Sequence, residues 1–207
     1  TNEFKALIDP EQQRKPLIGI NGEIYLRSNR FSNNDLVRVC ENAGLEVIVS
    51  PMGEWFRYVS HRSVEDALRN RKLKKIIAGH MKKLIQEHDE HSIARLCRGL
   101  LDDGEPTTAD ILANSSKCLP SQCSSEAVLS IGSGIRWMQD DRFAGVISVM
   151  PHGCMPGGIV AAMLDKFGTI YQKQWISLTY DGFAETNNLT RINNFAEVIR
   201  FCNEESQ

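Results

Sequence analysis

Apolar residues recur along this chain in two rhythms. The first is a set of short, nearly unbroken apolar runs: Lys15-Pro-Leu-Ile-Gly-Ile20, Leu45-Glu-Val-Ile-Val49, Gly145-Val-Ile-Ser-Val-Met150, and Trp175 to Tyr180. Each is short, rich in branched or aromatic residues and closed by Asn, Gly, Pro or Asp, which predicts buried strands. The second rhythm returns every three or four positions and predicts helices. One runs from a cap at Asn33 or Asn34 through Leu36, Val37 and Cys40 to Gly44, a glycine suited to the residue just past a helix end. Others are expected over Ser125–Gln139, Ile159–Phe167 and Arg191–Phe201.

The first strand, helix and second strand together span the length of a βαβ crossover, which predicts parallel pairing. Between Arg62 and Leu101 only the helical rhythm is present, carried by Val64, Ala67, Leu68, Ile76, Ile77, Met81, Leu84, Ile85, Ile93, Leu96, Cys97 and Leu100. No proline interrupts the stretch between Pro51 and Pro106, so two or three inserted helices are expected there. The predicted fold class is α/β: a doubly wound, mainly parallel sheet of four or more strands, with a helical insertion at about 61–103 between strands 2 and 3. Residues 1–14 read as a loose leader and 15–207 as a single α/β domain, expected to be a fragment of a longer multidomain protein.

Sheets of this class bind ligands beyond the carboxyl ends of their strands. The loops at those ends hold Asn21-Gly-Glu23, Pro51-Met-Gly-Glu-Trp55, Pro151-His-Gly-Cys154, and Asp181-Gly182 with Glu185 behind. Carboxylate, imidazole, thiol and glycine are thus expected on one rim. Cys154 stands where a strand turns into a helix, so its thiol would meet the free N–H groups and positive end of that helix, an environment that favours thiolate. His152 could pair with it as a nucleophilic dyad, a minor reading, because residues two apart in a turn need not face each other. Gly157-Gly158 either cradle an anion at the helix start or merely permit close helix–sheet packing. Trp55, Phe56 and Tyr58 could line a pocket, though an aromatic cluster more commonly packs in a core.

Composition narrows the classes. The 207 residues are 42% hydrophobic and 24% charged, with a formal net charge of −2, which suits a globular protein and gives no general attraction to nucleic acid. The basic run Arg69-Asn-Arg-Lys-Leu-Lys-Lys75, extended by Lys82-Lys83, is followed by Glu87, Asp89 and Glu90 without interleaved aromatics. It reads as a solvated helix face. No apolar run approaches the ~18 residues of a membrane span, and no apolar signal core opens the chain, so no membrane partner and a cytoplasmic location are expected.

Of six cysteines, Cys40, Cys97 and Cys202 fall among apolar neighbours in predicted helices and are expected to be buried as small hydrophobes. Cys118 and Cys123 form a C-x4-C pair that is weakly suggestive of metal. Their loop precedes the helix feeding the third strand and is expected at the amino-end side of the sheet, away from Cys154.

Four stretches carry a resemblance. They are Lys15-Pro-Leu-Ile-Gly-Ile-Asn-Gly-Glu-Ile-Tyr-Leu-Arg27, Gly44 through Trp55, Gly145-Val-Ile-Ser-Val-Met-Pro-His-Gly-Cys-Met-Pro-Gly157, and Ser177-Leu-Thr-Tyr-Asp-Gly182. Together they resemble the acyl-CoA dehydratase activase-related proteins, allied to the 2-hydroxyglutaryl-CoA dehydratase components and the double-cubane-cluster proteins. The resemblance implies a doubly wound half-domain embedded in a larger polypeptide. It further implies low-potential electron transfer to a (2-hydroxy)acyl-CoA dehydratase or similar reductase, with this domain alone not catalytic. Cys154 matches a position implied to ligate a [4Fe–4S] cluster, which another domain or subunit would complete, with Cys118 and Cys123 as lesser candidates. Glu23, Glu54, His152 and Asp181 are rim candidates around it, and Gly157 and Gly158 remain, from their place at a helix start, the anion-binding candidates. Partners would be other domains of the parent protein or a dehydratase, with acyl-CoA as a ligand. The dehydratase components place cysteines in the loops after their first two strands, where this chain has Asn21-Gly-Glu23 and Met52-Gly-Glu54. The alternative is a non-redox binding or scaffold domain for a CoA-like ligand or a partner domain; a cysteine-dependent hydrolase is a third, weaker option.

Overall fold

The structure, a computed structural model, describes residues 2–7, 9, 11–96, 107–120, 123, 125–182 and 187–204. In chain order the elements are α1 (Asn2–Lys5), β1 (Leu17–Gly22), α2 (Ile24–Ser28), α3 (Leu36–Asn42), β2 (Glu46–Val49), α4 (Met52–Arg69) and α5 (Leu73–Leu96). After these come α6 (Thr108–Ser115), α7 (Glu126–Gln139), β3 (Phe143–Pro151), α8 (Met155–Ala161), α9 (Leu164–Tyr171), β4 (Gln174–Tyr180) and α10 (Asn188–Glu204). The chain forms two compact units, one of residues 1–13 and 52–108, the other of 14–51 and 109–207.

The second unit holds the sheet, which has the strand order β2-β1-β3-β4 with every pairing parallel. This is the doubly wound α/β architecture that the apolar runs predict. In β1 and β3 almost every residue is buried, as expected of parallel strands covered on both faces. Edge strand β2 is only partly buried. Period-two alternation sends neighbouring residues to opposite layers. Ile18, Ile20, Ile147, Val149, Leu178 and Tyr180 join Leu36 and Cys40 of α3 and Ile192, Phe195, Ala196 and Ile199 of α10 in one core. Val146 and Trp175 join Ile131, Ile135 and Met138 of α7, Val160 of α8 and Phe167 of α9 in the other.

Several boundaries differ from the sequence expectation for local reasons. The segment between β1 and the helix that begins at Leu36 contains α2, because the Glu23 carboxylate accepts hydrogen bonds from Tyr25 N at 3.2 Å and Leu26 N at 2.6 Å and so caps that turn. The N-cap residue of α3 is Asp35, in the left-handed region, and not Asn33 or Asn34; Asn33 Oδ1 instead accepts from the Leu36 amide at 3.1 Å just ahead of the helix. The helical segment after β2 starts at Met52, not near residue 61. Trp55 and Tyr58 therefore sit on the first turns of α4, with ring centroids 5.8 Å apart. The helix expected from Ile159 to Phe167 is two shorter helices, α8 and α9. Cys40 is fully buried as expected, but Cys202 is exposed: the buried stripe of α10, at 192, 195, 196 and 199, ends one turn before it. Cys97 lies outside the described residues.

Candidate functional site

In the order β2-β1-β3-β4, the chain leaves β1 toward one edge and later returns to its other side. The strand order therefore reverses between β1 and β3, the position at which open parallel sheets form a crevice. Gly22, with φ of 111°, ends β1 there. An added Cβ would stand 2.0 Å from the Val149 carbonyl oxygen, so only glycine lets the two backbones stay this close. Beyond it Glu23 N donates to Val149 O at 2.9 Å, and the chain turns away from β3 into α2.

A small open cleft, with room for about one water, occupies this position. Gly22 and Glu23 line it from the end of β1, Ser148 to Met150 from β3, Glu126, Ala127 and Ser130 from the start of α7, and Cys154, Pro156, Gly157 and Val160 from α8. Its floor is a buried polar network. Asn21 Nδ2 donates to Ser130 O at 2.8 Å and to Ser133 Oγ at 3.2 Å, and Ser148 Oγ donates to Asn21 Oδ1 at 2.5 Å. Trp175 Nε1 donates in turn to Ser148 Oγ at 2.9 Å. β1, β3, β4 and α7 are thereby tied together under the cleft.

The rim charge is mixed. Burial first, and then the neighbouring Glu23, push the Glu126 carboxyl above the usual carboxylate range, while Arg27 opposes them. Arg27 is itself buried, and its guanidinium donates to Gly22 O at 3.2 Å and Pro51 O at 3.1 Å. It clamps the ends of β1 and β2. Cys154 is the N-cap residue of α8 and is half-buried. It closes a turn in which Cys154 N donates to Pro151 O at 3.2 Å and Gly153 takes a φ of 72°.

The structure thus brings Glu23 and Cys154, both expected on the rim, into one cleft. His152 and Asp181 are exposed at the ends of β3 and β4 and are not among the cleft's lining residues. His152 N continues the ladder by donating to Tyr180 O at 2.8 Å. Glu54 is a buried residue in the first turn of α4, in the other unit, and Glu185 lies outside the described residues. Gly157 serves packing: a Cβ there would meet Met150 side-chain atoms at 2.6–3.0 Å. Gly158 has open space around it, and its N–H is taken by Cys154 O at 2.9 Å.

The expected position of the Cys118–Cys123 loop needs correcting. A helix that feeds a parallel strand runs antiparallel to it, so α7 begins at the carboxyl rim, as Glu126 in the cleft shows. Cys123, with its Sγ 3.9 Å from Ser125 Oγ, stands just before that rim and not at the far side of the sheet. Cys118 packs against the core beside α7 and α9, and its thiol donates to Ser115 O at 3.4 Å. Burial raises its pKa against the opposing pull of Lys166 and a backbone hydrogen bond at Leu119. Among the described residues no three His, Cys, Asp or Glu side chains come together as a metal site.

Sequence reasoning missed Glu126, Ser130, Ser148 and Arg27. The direction of α7 was the available signal for Glu126; nothing local marks the others. No family model, no curated protein and no solved structure matches this chain.

Proposed function

We propose that this chain is a ligand-binding α/β domain whose working site is the cleft between the ends of β1 and β3. One observation carries the reading: three separate elements place a thiol, two carboxylates and the nearly fully buried Ser130 around one crevice at the reversal of strand order. Two neighbouring carboxylates repel a phosphate. The group that enters is therefore neutral or cationic and donates hydrogen bonds, with Cys154 as its soft neighbour. The resemblance supplies a setting: low-potential electron transfer to a (2-hydroxy)acyl-CoA dehydratase or similar reductase in the cytoplasm, alongside other domains of a parent protein. There, a 2-hydroxyacyl-CoA would present its hydroxyl, a hydrogen-bond donor, at the mouth of the cleft and leave its pyrophosphate outside.

A [4Fe–4S] cluster held by the described residues alone does not fit. Cys154 is the single thiol lining the cleft, and Cys118 is committed to packing. Clusters ordinarily take four cysteine ligands. The cluster reading therefore needs ligands from elsewhere, with Cys154 as the contribution of this segment.

Alkylation of Cys154, followed by mass spectrometry with and without acyl-CoA, tests the binding reading. Acyl-CoA should slow labelling of Cys154 at least several-fold and leave Cys202 unaffected, and Glu126→Gln and Ser130→Ala should weaken that protection. Equal labelling rates with and without ligand would sink it. Anaerobic reconstitution of the parent protein tests the shared cluster separately: iron retained by the wild type and lost by Cys154→Ala supports it, and equal iron in both refutes it.

A further inference from the structure

Between α2 and α3 the chain runs Asn29-Arg-Phe-Ser-Asn-Asn-Asp35, polar but for Phe31. Phe31 is 92% exposed, and Tyr25, on α2, is 62% exposed. Scattered exposed apolar residues need no explanation, but these two are built onto one braced frame. Asn29 Nδ2 donates to Tyr25 Oη at 2.9 Å, and Asn29 Oδ1 accepts from Ser32 N at 2.9 Å. One side chain thereby ties the Tyr25 ring to the turn that carries Phe31. Buried Asn33 holds the same turn from beneath, its Nδ2 donating to Leu26 O at 2.8 Å and its Oδ1 accepting from Leu36 N. Arg30 closes the loop with two bonds to the Asp35 carboxylate, at 3.0 and 2.7 Å. Asn34 and Asp35 take left-handed φ values of 53° and 55°, which those residue types tolerate better than most. A loop fixed at so many points presents its aromatic faces already ordered, so a ligand that stacks on them freezes little further motion.

Place and charge say which kind of ligand. Tyr25 lies two residues beyond Glu23, which lines the cleft and caps α2. The rise of α2 and the three residues after it keep Phe31 within about 20 Å of Glu23. In the cleft, Glu23 and Glu126 repel phosphate. On the loop the balance reverses, because Arg30 and Arg38 both act on the single carboxylate of Asp35. Exposed aromatic faces beside a net positive charge suit a nucleobase and its phosphates, by stacking and by charge-assisted hydrogen bonds. Taking the cleft as the site of the acyl end, we propose that the adenine of a CoA thioester stacks on the aromatic surface of Tyr25 and Phe31, with its phosphates beside Arg30 and Arg38.

Alkylation of Cys154 in the full chain reads both ends of such a ligand. Lactoyl-CoA and lactoyl-pantetheine share an acyl end, and only the first carries the nucleotide. Lactoyl-CoA should protect Cys154 at a concentration about tenfold below that of lactoyl-pantetheine, as one stacked base allows. Phe31→Ala should erase that advantage, and Phe31→Tyr should keep it. Neither should change protection by lactoyl-pantetheine, which also reports that the cleft is still folded. Equal protection by the two esters, or an advantage indifferent to Phe31→Ala, overturns the platform and leaves the cleft reading standing. No protection by either ester overturns the cleft reading, and the platform with it.

Discussion

Asn21 decides more than its size suggests. It is fully buried, yet its amide donates to Ser130 O and Ser133 Oγ and accepts from Ser148 Oγ. A buried amide with all its partners is tolerated, but removing it strands those partners without water, at about 1–3 kcal/mol for each group left unmade. Asn21→Ala is therefore expected to destabilise the chain by about 2–4 kcal/mol in urea unfolding. It should also disturb Trp175 fluorescence, because Ser148, which accepts from the indole N–H, loses its anchor. A loss below about 0.5 kcal/mol would show that the network adds nothing net to stability. Cys40 shows the opposite case: burial pushes its thiol up to about 12, with Glu41 adding to the rise, so it stays a packing group and not a nucleophile. That role was legible in the sequence from the apolar neighbours of Cys40. The role of Asn21 was not, since its partners lie 109 to 127 positions away.

At the scale of elements, α7 shows how a helix can be buried on nearly all sides. Its run Ser130-Ile-Gly-Ser-Gly-Ile135 puts small residues where neighbours press closest. A Cβ on Gly132 would stand 2.2 Å from the Ile111 carbonyl oxygen of α6, and one on Gly134 would stand 2.2 Å from the Trp175 ring. Gly134→Ala should accordingly cost about 2–3 kcal/mol through overpacking, even though alanine is the better helix former. Gly158→Ala is the matched control, since nothing lies within 4 Å of its added Cβ. It should be neutral, or stabilise by up to about 1 kcal/mol. Thermal unfolding of the pair checks both, and equal melting temperatures would contradict the packing account. The helical rhythm of α7 was readable from sequence, but which neighbours its glycines admit was not.

Across the whole molecule, both hydrophobic cores are built, among the described residues, from 14–51 and 109–207. Neither takes a side chain from the described residues of the segment 52–108. Replacing that segment with a short Gly/Ser linker should leave a cooperatively unfolding domain that keeps the near-ultraviolet signals of Trp137 and Trp175. A product that binds hydrophobic dye and unfolds without cooperativity would show that the sheet unit needs that segment. No helix among the described residues is long and apolar enough to cross a membrane.

By itself the sequence determined the strands, their parallel arrangement and the carboxyl rim on which Glu23 and Cys154 stand. Those follow from apolar runs and helix alternation, signals contained within a few dozen neighbouring residues. Tertiary structure alone decided that Glu126, Ser130 and Ser148 complete the cleft, that Arg27 clamps its edge, and that Cys118 is drawn into packing. Each of those outcomes depends on groups brought together by sheet closure across long separations, which no local pattern encodes.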